Sequence, residues 1–146
     1  MGAGNEDLGK LVNRACVSIL MFFHGYHYLY GMTNVDSRIV AMGLPAVIGD
    51  AGQWIGEWIA PLAVLLGVYS RLGGALITIY MIVALLMAHT FGVNNHFFML
   101  NDARPPDTVG DGYRLELQFF YLVGGLSVFL LGAGKYGLNI GGKWNN

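Results

Sequence analysis

The chain is short of charge. Only 12% of its 146 residues are Asp, Glu, Lys or Arg, about half the share of an ordinary soluble domain. What charge there is lies between long neutral runs. Residues 15–35, 72–101 and 117–134 carry none, and residues 51–70 carry Glu57 alone. Each run approaches or exceeds the roughly 20 residues that a helix needs to cross about 30 Å of hydrocarbon. A soluble four-helix bundle needs polar outer faces at helical spacing. The stretch from Ala75 to Met87 has no such face. These absences exclude a soluble domain.

Cysteine is nearly absent too. Cys16 is the single one, which excludes internal disulfides, CxxC redox chemistry and cysteine metal clusters. Its place in the first apolar run reads as a small packing residue. Eight scattered Lys and Arg make no basic stripe, so nucleic acid is not a partner. No Ala-x-Ala cleavage site follows the first apolar run, which reads as retained, and Glu6 stands where a myristoylation signal needs Ser or Thr.

What is present is an all-α integral membrane four-helix bundle, a single domain over 1–146. After a polar leader over residues 1–10, spans are expected over about 13–31, 50–69, 72–92 and 113–131. Ser70-Arg71 reads as a tight turn. Asp36 to Gly43 reads as a short interfacial helix ended by glycine, with Pro45 just beyond. Val93 to Gly112 is the longest polar segment. Gly52, Gly56, Ala60, Ala63 and Gly67 form a small-residue stripe on the second span. The stripe suits close helix packing within the chain, with Ala84, Ala88, Gly125 and Gly132 as opposing positions, or a partner-subunit face.

The loops set an orientation. Lys10, Arg14, Arg71, Lys135 and Lys143 gather on one side, and Arg38, Arg104 and Arg114 on the other among five aspartates. The positive-inside bias places both termini and the short turn in the cytoplasm, with the longer loops outside. Tyr26, Tyr28, Tyr30, Tyr113 and Trp54 then fit an outer aromatic belt, and Trp144 an inner anchor. Solvated loop positions are the plain reading of His96, Asp102 and Arg104.

Ionisable side chains interrupt the apolar runs, and one in each span stands out: His24 (with His27 about one turn away), Glu57, His89 and Glu116. Charged groups at the bilayer centre cost about 2.5–3.5 kcal/mol on insertion scales, so such residues pair, face the interior, or do chemistry. With the spans threaded alternately, all four fall in the outer half of the bilayer. Tyr28 lies one turn above His24, while Phe22, Phe23, Trp54, Trp58 and Phe119 supply aromatic surroundings.

The order of motifs resembles the DoxX family of four-span membrane proteins: His24-Gly25, Gly43-Leu-Pro45, Glu57 followed by Leu65-Leu-Gly67, Tyr69-Ser-Arg71, His89, Glu116, and Gly132-x-Gly-Lys-Tyr-Gly-Leu138. The resemblance covers about residues 10–140 and extends to the small membrane subunit of thiosulfate:quinone oxidoreductases. It implies a prokaryotic inner-membrane protein, associated with other subunits or further copies in a membrane redox complex. The Val93–Gly112 segment matches no family motif.

Three readings of the polar positions stay open. One is structural: hydrogen-bonded pairs that fix helix register in a non-enzymatic assembly subunit. Another is a quinone or other lipophile held by His24, Glu57, His89 and Glu116, with Tyr28, Trp54 and Trp58 at its walls. The third is a metal bound by His24, Glu57, His89 and Glu116, for which the Glu-x-x-His spacing of di-iron bundles is missing. No catalytic residue is assigned. Reporter fusions at Arg71 and Asn146 are expected to read cytoplasmic together; a periplasmic signal at either reverses the orientation.

Overall fold

The computed structural model describes residues 3–29, 39–40, 42–90, 111–138 and 140–145. Four helical rods carry most of them. α1 is Ala3–Leu29. α2 runs without a break over 46–66, as an α-helix Ala46–Gln53, a π-helical stretch Trp54–Ile59 and a second α-helix Ala60–Leu66. α3 is Ser70–Thr90 and α4 is Asp111–Leu131. Among the described residues there is no strand beyond one isolated parallel bridge, Val68 to Ile140. The chain is all-α.

By length and composition α3 is apolar enough to cross a membrane, through Ser70–Met87, and Glu116–Leu131 is a shorter apolar helix. Asn13, Arg14, Ser18 and His24 dilute α1, and Asp50, Gln53 and Glu57 dilute α2. The polar groups that make the interior interesting are those that lower the hydropathy of these two helices.

Two boundaries differ from the sequence reading. α1 begins at Ala3 and takes in residues 3–10 of the polar leader. Asp7, on its second turn, accepts from the Lys135 backbone N–H at 3.2 Å and lies 4.0 Å from Lys135 Nζ. The tight turn is Gly67 to Tyr69, and Ser70 and Arg71 already belong to α3. The reason is the helix cap. Gly67 sits at φ 72°, and Val68 N–H reaches back to the Ala63 carbonyl at 2.9 Å, a left-handed ending that glycine adopts at little cost. Gly43, at φ 76°, ends a helical piece in the same way, with Leu44 N–H on the Ile39 carbonyl at 3.2 Å. Asp36 to Arg38 and the Val93–Gly110 stretch lie outside the described residues.

Each rod gives two residues to the core: Val17 and Met21, Ala60 and Val64, Ile77 and Met81, Tyr121 and Val128. Glycines set how close the rods come. A Cβ on Gly74 would lie 2.7 Å from the Gly125 carbonyl oxygen, so α3 and α4 touch backbone to backbone. Gly124, next in sequence, faces the other way, and a Cβ there would lie 2.4 Å from Val17 Cγ2 on α1. Gly125 therefore opposes α3 rather than the small stripe of α2. On that stripe Gly52 borders open space, while Gly56 receives the ring of Tyr80. Cys16 is exposed on α1 rather than packed. It borders a shallow groove with Asn5, Leu8, Val12 and Phe120.

The end of the bundle that carries the Gly67 turn is closed by polar contacts. Arg14 is wholly buried and donates through Nη1 to the Val64 and Leu65 carbonyls at 3.1 and 3.4 Å. Those carbonyls are in the last turn of α2, where the helix dipole favours a cation. The tail folds back beneath them: Leu138 N–H bonds the Leu66 carbonyl at 3.0 Å, and Tyr69 N–H bonds the Ile140 carbonyl at 2.8 Å. Asn145 caps α3, its Oδ1 accepting from Ser70 N–H at 3.2 Å.

Two of the positive-φ glycines, Gly43 and Gly67, make a controlled comparison. Around Gly43 an added methyl meets nothing within 4 Å, whereas at Gly67 it would lie 2.3 Å from Gly137 Cα. Gly43→Ala should cost about 1 kcal/mol from backbone conformation alone. Gly67→Ala should cost about 2–4 kcal/mol, the overpacking being added to the same strain. Thermal unfolding of the detergent-solubilised variants measures the difference.

Candidate functional site

α2 is the helix that builds the site, and Pro61 shapes it. Proline has no N–H to give to the carbonyl four residues back, here that of Glu57, and its ring crowds that oxygen. The chain widens to π spacing just upstream, over Trp54–Ile59, with the Ala60 N–H on the Ile55 carbonyl. Such widened turns are rare and are frequent at functional sites. One consequence is that Gln53, Gly56, Glu57 and Ala60 are all buried on one side.

Glu57 is 2% exposed. The Tyr80 hydroxyl of α3 donates to its Oε1 at 2.6 Å, the short length of a hydrogen bond to a carboxylate-type oxygen. His24 of α1 brings Nε2 to 3.8 Å from the same oxygen, ion-pair range and longer than a hydrogen bond. The His24 ring lies 6.0 Å from that of Tyr121 on α4, whose hydroxyl donates to the Leu20 carbonyl at 2.9 Å. One residue from each of the four helices thus meets around Glu57.

Glycine again makes the room. A Cβ on Gly25 would lie 2.8 Å from Trp58 Nε1 and 3.1 Å from Glu57 Cβ, and one on Gly56 would lie 2.5 Å from Tyr80 Cγ. Trp58 stands between Phe22 and Trp54, with ring centroids 5.7 and 6.1 Å away. Trp54 is exposed, and about a third of the His24 side chain is accessible, so the cluster has an edge on the bundle surface.

The residues singled out in sequence divide. His24, Glu57, Trp54 and Trp58 come together. Glu116 does not: it is exposed on α4, five residues before Tyr121, which places it about 140° round the helix from the buried face. Leu117 beside it is exposed too. The backbones of Tyr28 and His89 belong to α1 and α3, and their side chains lie outside the described residues. His89 is nine positions beyond Tyr80, or about 13 Å along the axis. Among the described residues no three His, Cys, Asp or Glu gather as metal ligands do.

Tyr80, Tyr121 and Gln53 were missed. Tyr80 and Tyr121 are lone hydroxyl-bearing rings within apolar runs, a sign of a polar partner inside. Gln53 precedes Glu57 by four, the spacing that shares a helix face.

A helical bundle with a carboxyl group, an imidazole and phenols at its centre, and with lipid-like residues over much of its surface, defines a membrane-associated helical protein. The DoxX family model matches residues 9–90, a segment that includes Arg14, His24, Glu57 and Tyr80. The chain belongs to the DoxX family. No curated protein and no solved structure matches it.

If Glu57 acts by accepting from Tyr80, Glu57→Gln keeps an acceptor oxygen and should be the mild substitution. Glu57→Leu leaves the Tyr80 hydroxyl without that partner and should cost about 1–3 kcal/mol more. Equal losses in thermal unfolding would show that the negative charge itself is required.

Proposed function

We propose that this DoxX chain spans a prokaryotic inner membrane four times with both termini cytoplasmic. On this reading it is a small subunit of a membrane redox complex, and its outer-half pocket around His24 and Glu57 binds a quinone or a similar flat lipophile. The observation that carries the reading is the placement of Glu57. It is buried at the middle of α2, held by Tyr80, and within 3.8 Å of His24. Trp54, Trp58 and Phe22 flank it. An apolar pocket with a few convergent polar groups is what a lipophile needs, and the bilayer is the reservoir from which it enters.

The buried polar atoms without protein partners fit such an occupant better than a sealed structural network. Glu57 Oε2 and Trp58 Nε1 have no hydrogen-bond partner among the described residues. When bound, a quinone supplies two-electron, two-proton redox chemistry. The chain's part is to orient the head group, to exclude water, and to move a proton at Glu57 Oε2 or at the His24 imidazole. Tyr80, by holding Oε1, leaves Oε2 as the free position.

A second reading has its own support. The Tyr80–Glu57 and Tyr121–Leu20 bonds each join two helices, as a register-fixing network in an assembly subunit would. Lipid extraction of protein purified from native membranes, followed by mass spectrometry, separates the two. Stoichiometric quinone that is lost on His24→Ala supports the pocket. Clean apoprotein within a larger complex supports the assembly role, and stoichiometric zinc, iron or copper without quinone rejects the lipophile.

A further inference from the structure

Gln53 stands four residues before Glu57 on α2 and is 1% exposed. Neither its amide nitrogen nor its amide oxygen has a hydrogen-bond partner among the described residues. Glu57 Oε2 and Trp58 Nε1 share that condition. Four such atoms within six residues of one helix are a concentration that native interiors avoid. The π-helical widening just before Pro61 accompanies the burial of Gln53 and Glu57 on one side of α2.

We propose that Gln53 selects the occupant of the pocket: a flat lipophile bearing a hydroxyl donor, in preference to one bearing only bare carbonyls. This rests on the lipophile-binding reading above. The argument is one of hydrogen-bond capacity. The unpartnered donors are the Gln53 amide N–H groups and the Trp58 indole N–H, and the unpartnered acceptors are the Gln53 oxygen and Glu57 Oε2. A bare carbonyl only accepts, so it serves the two donors and leaves the Gln53 oxygen orphaned in an apolar site. A hydroxyl accepts in the same way and adds one O–H hydrogen; with Glu57 protonated, the Gln53 oxygen is the acceptor that takes it. Protonating Glu57 turns Oε2 into a donor and leaves the Gln53 oxygen as it was. Rotating the amide by 180° exchanges its two ends and still presents one donor and one acceptor. Gln53 and Glu57 lie about one turn apart on the same buried side of α2, within the span of a single head group.

The test uses the full chain in lipid nanodiscs under anaerobic conditions. The probes are a decyl-substituted benzohydroquinone and its benzoquinone, which differ by two hydroxyl hydrogens. Binding is read from quenching of tryptophan fluorescence and confirmed by competition between the probes. Wild-type protein should hold the hydroquinone about tenfold more tightly, the equivalent of one hydrogen bond's net worth. Gln53→Leu should bring the ratio of affinities close to one. Gln53→Glu, which keeps an acceptor oxygen, should retain the preference and covers the case in which the leucine variant fails to fold. Equal affinities in the wild type overturn the inference, as does a preference that survives Gln53→Leu; in both cases the lipophile pocket itself stands. Binding of neither probe removes the pocket and the inference together.

Discussion

The hydrogen bond from Tyr80 to Glu57 constrains three helices at once. For the hydroxyl to reach Oε1 at 2.6 Å, the Tyr80 ring must lie flat against α2, and only a residue without a Cβ at position 56 admits it. For Glu57 to face inward beside α1, position 25 must also be glycine, because Trp58 Nε1 and Glu57 Cβ fill the space a methyl would take. Both demands depend on α2 being wider than an α-helix over Trp54–Ile59, which follows from Pro61. One acid inside the bundle thus prescribes a proline four residues later and a glycine on each side of the contact.

The opposite end obeys different physics. There the buried cation Arg14 has carbonyls rather than carboxylates as acceptors, and no ion pair is formed with it among the described residues. The end of a helix offers unpaired oxygens and a favourable dipole, so a guanidinium can be taken out of water without a counter-ion beside it. The sequence reading counted Arg14 only as a topogenic charge. Its position at that end of the chain is unchanged, but it also serves as the clasp between α1 and the last turn of α2.

The helices were legible because apolar runs and their glycine and proline boundaries act locally. His24, Glu57 and the tryptophans were legible for a related reason: a polar side chain in an apolar run has few reasons to be there. Glu116 shows the limit of that rule. Near a helix end the same residue type can turn outward at small cost, and only the rotational phase relative to Tyr121 and Gly124 decides. Phase is set by which faces pack, which a single sequence does not state. The role of Tyr80 was hidden because a tyrosine in an apolar run reads first as bulk. The π-helical turn was hidden because Pro61, inside a span read as one helix over 50–69, marks a disturbance without saying whether it is a kink or a widened turn.

The capping of α3 by Asn145 has a consequence for how the protein is made. The donor is Ser70 N–H and the acceptor lies 75 residues further along the chain. At about 5–20 residues per second of synthesis, the first turn of α3 waits roughly 4–15 s for its cap. During that interval the rest of α3 and all of α4 are made, and the returning segment of residues 140–145 emerges last. The junction beneath the bundle therefore closes late, and a chain truncated after α4 is left with that seam open.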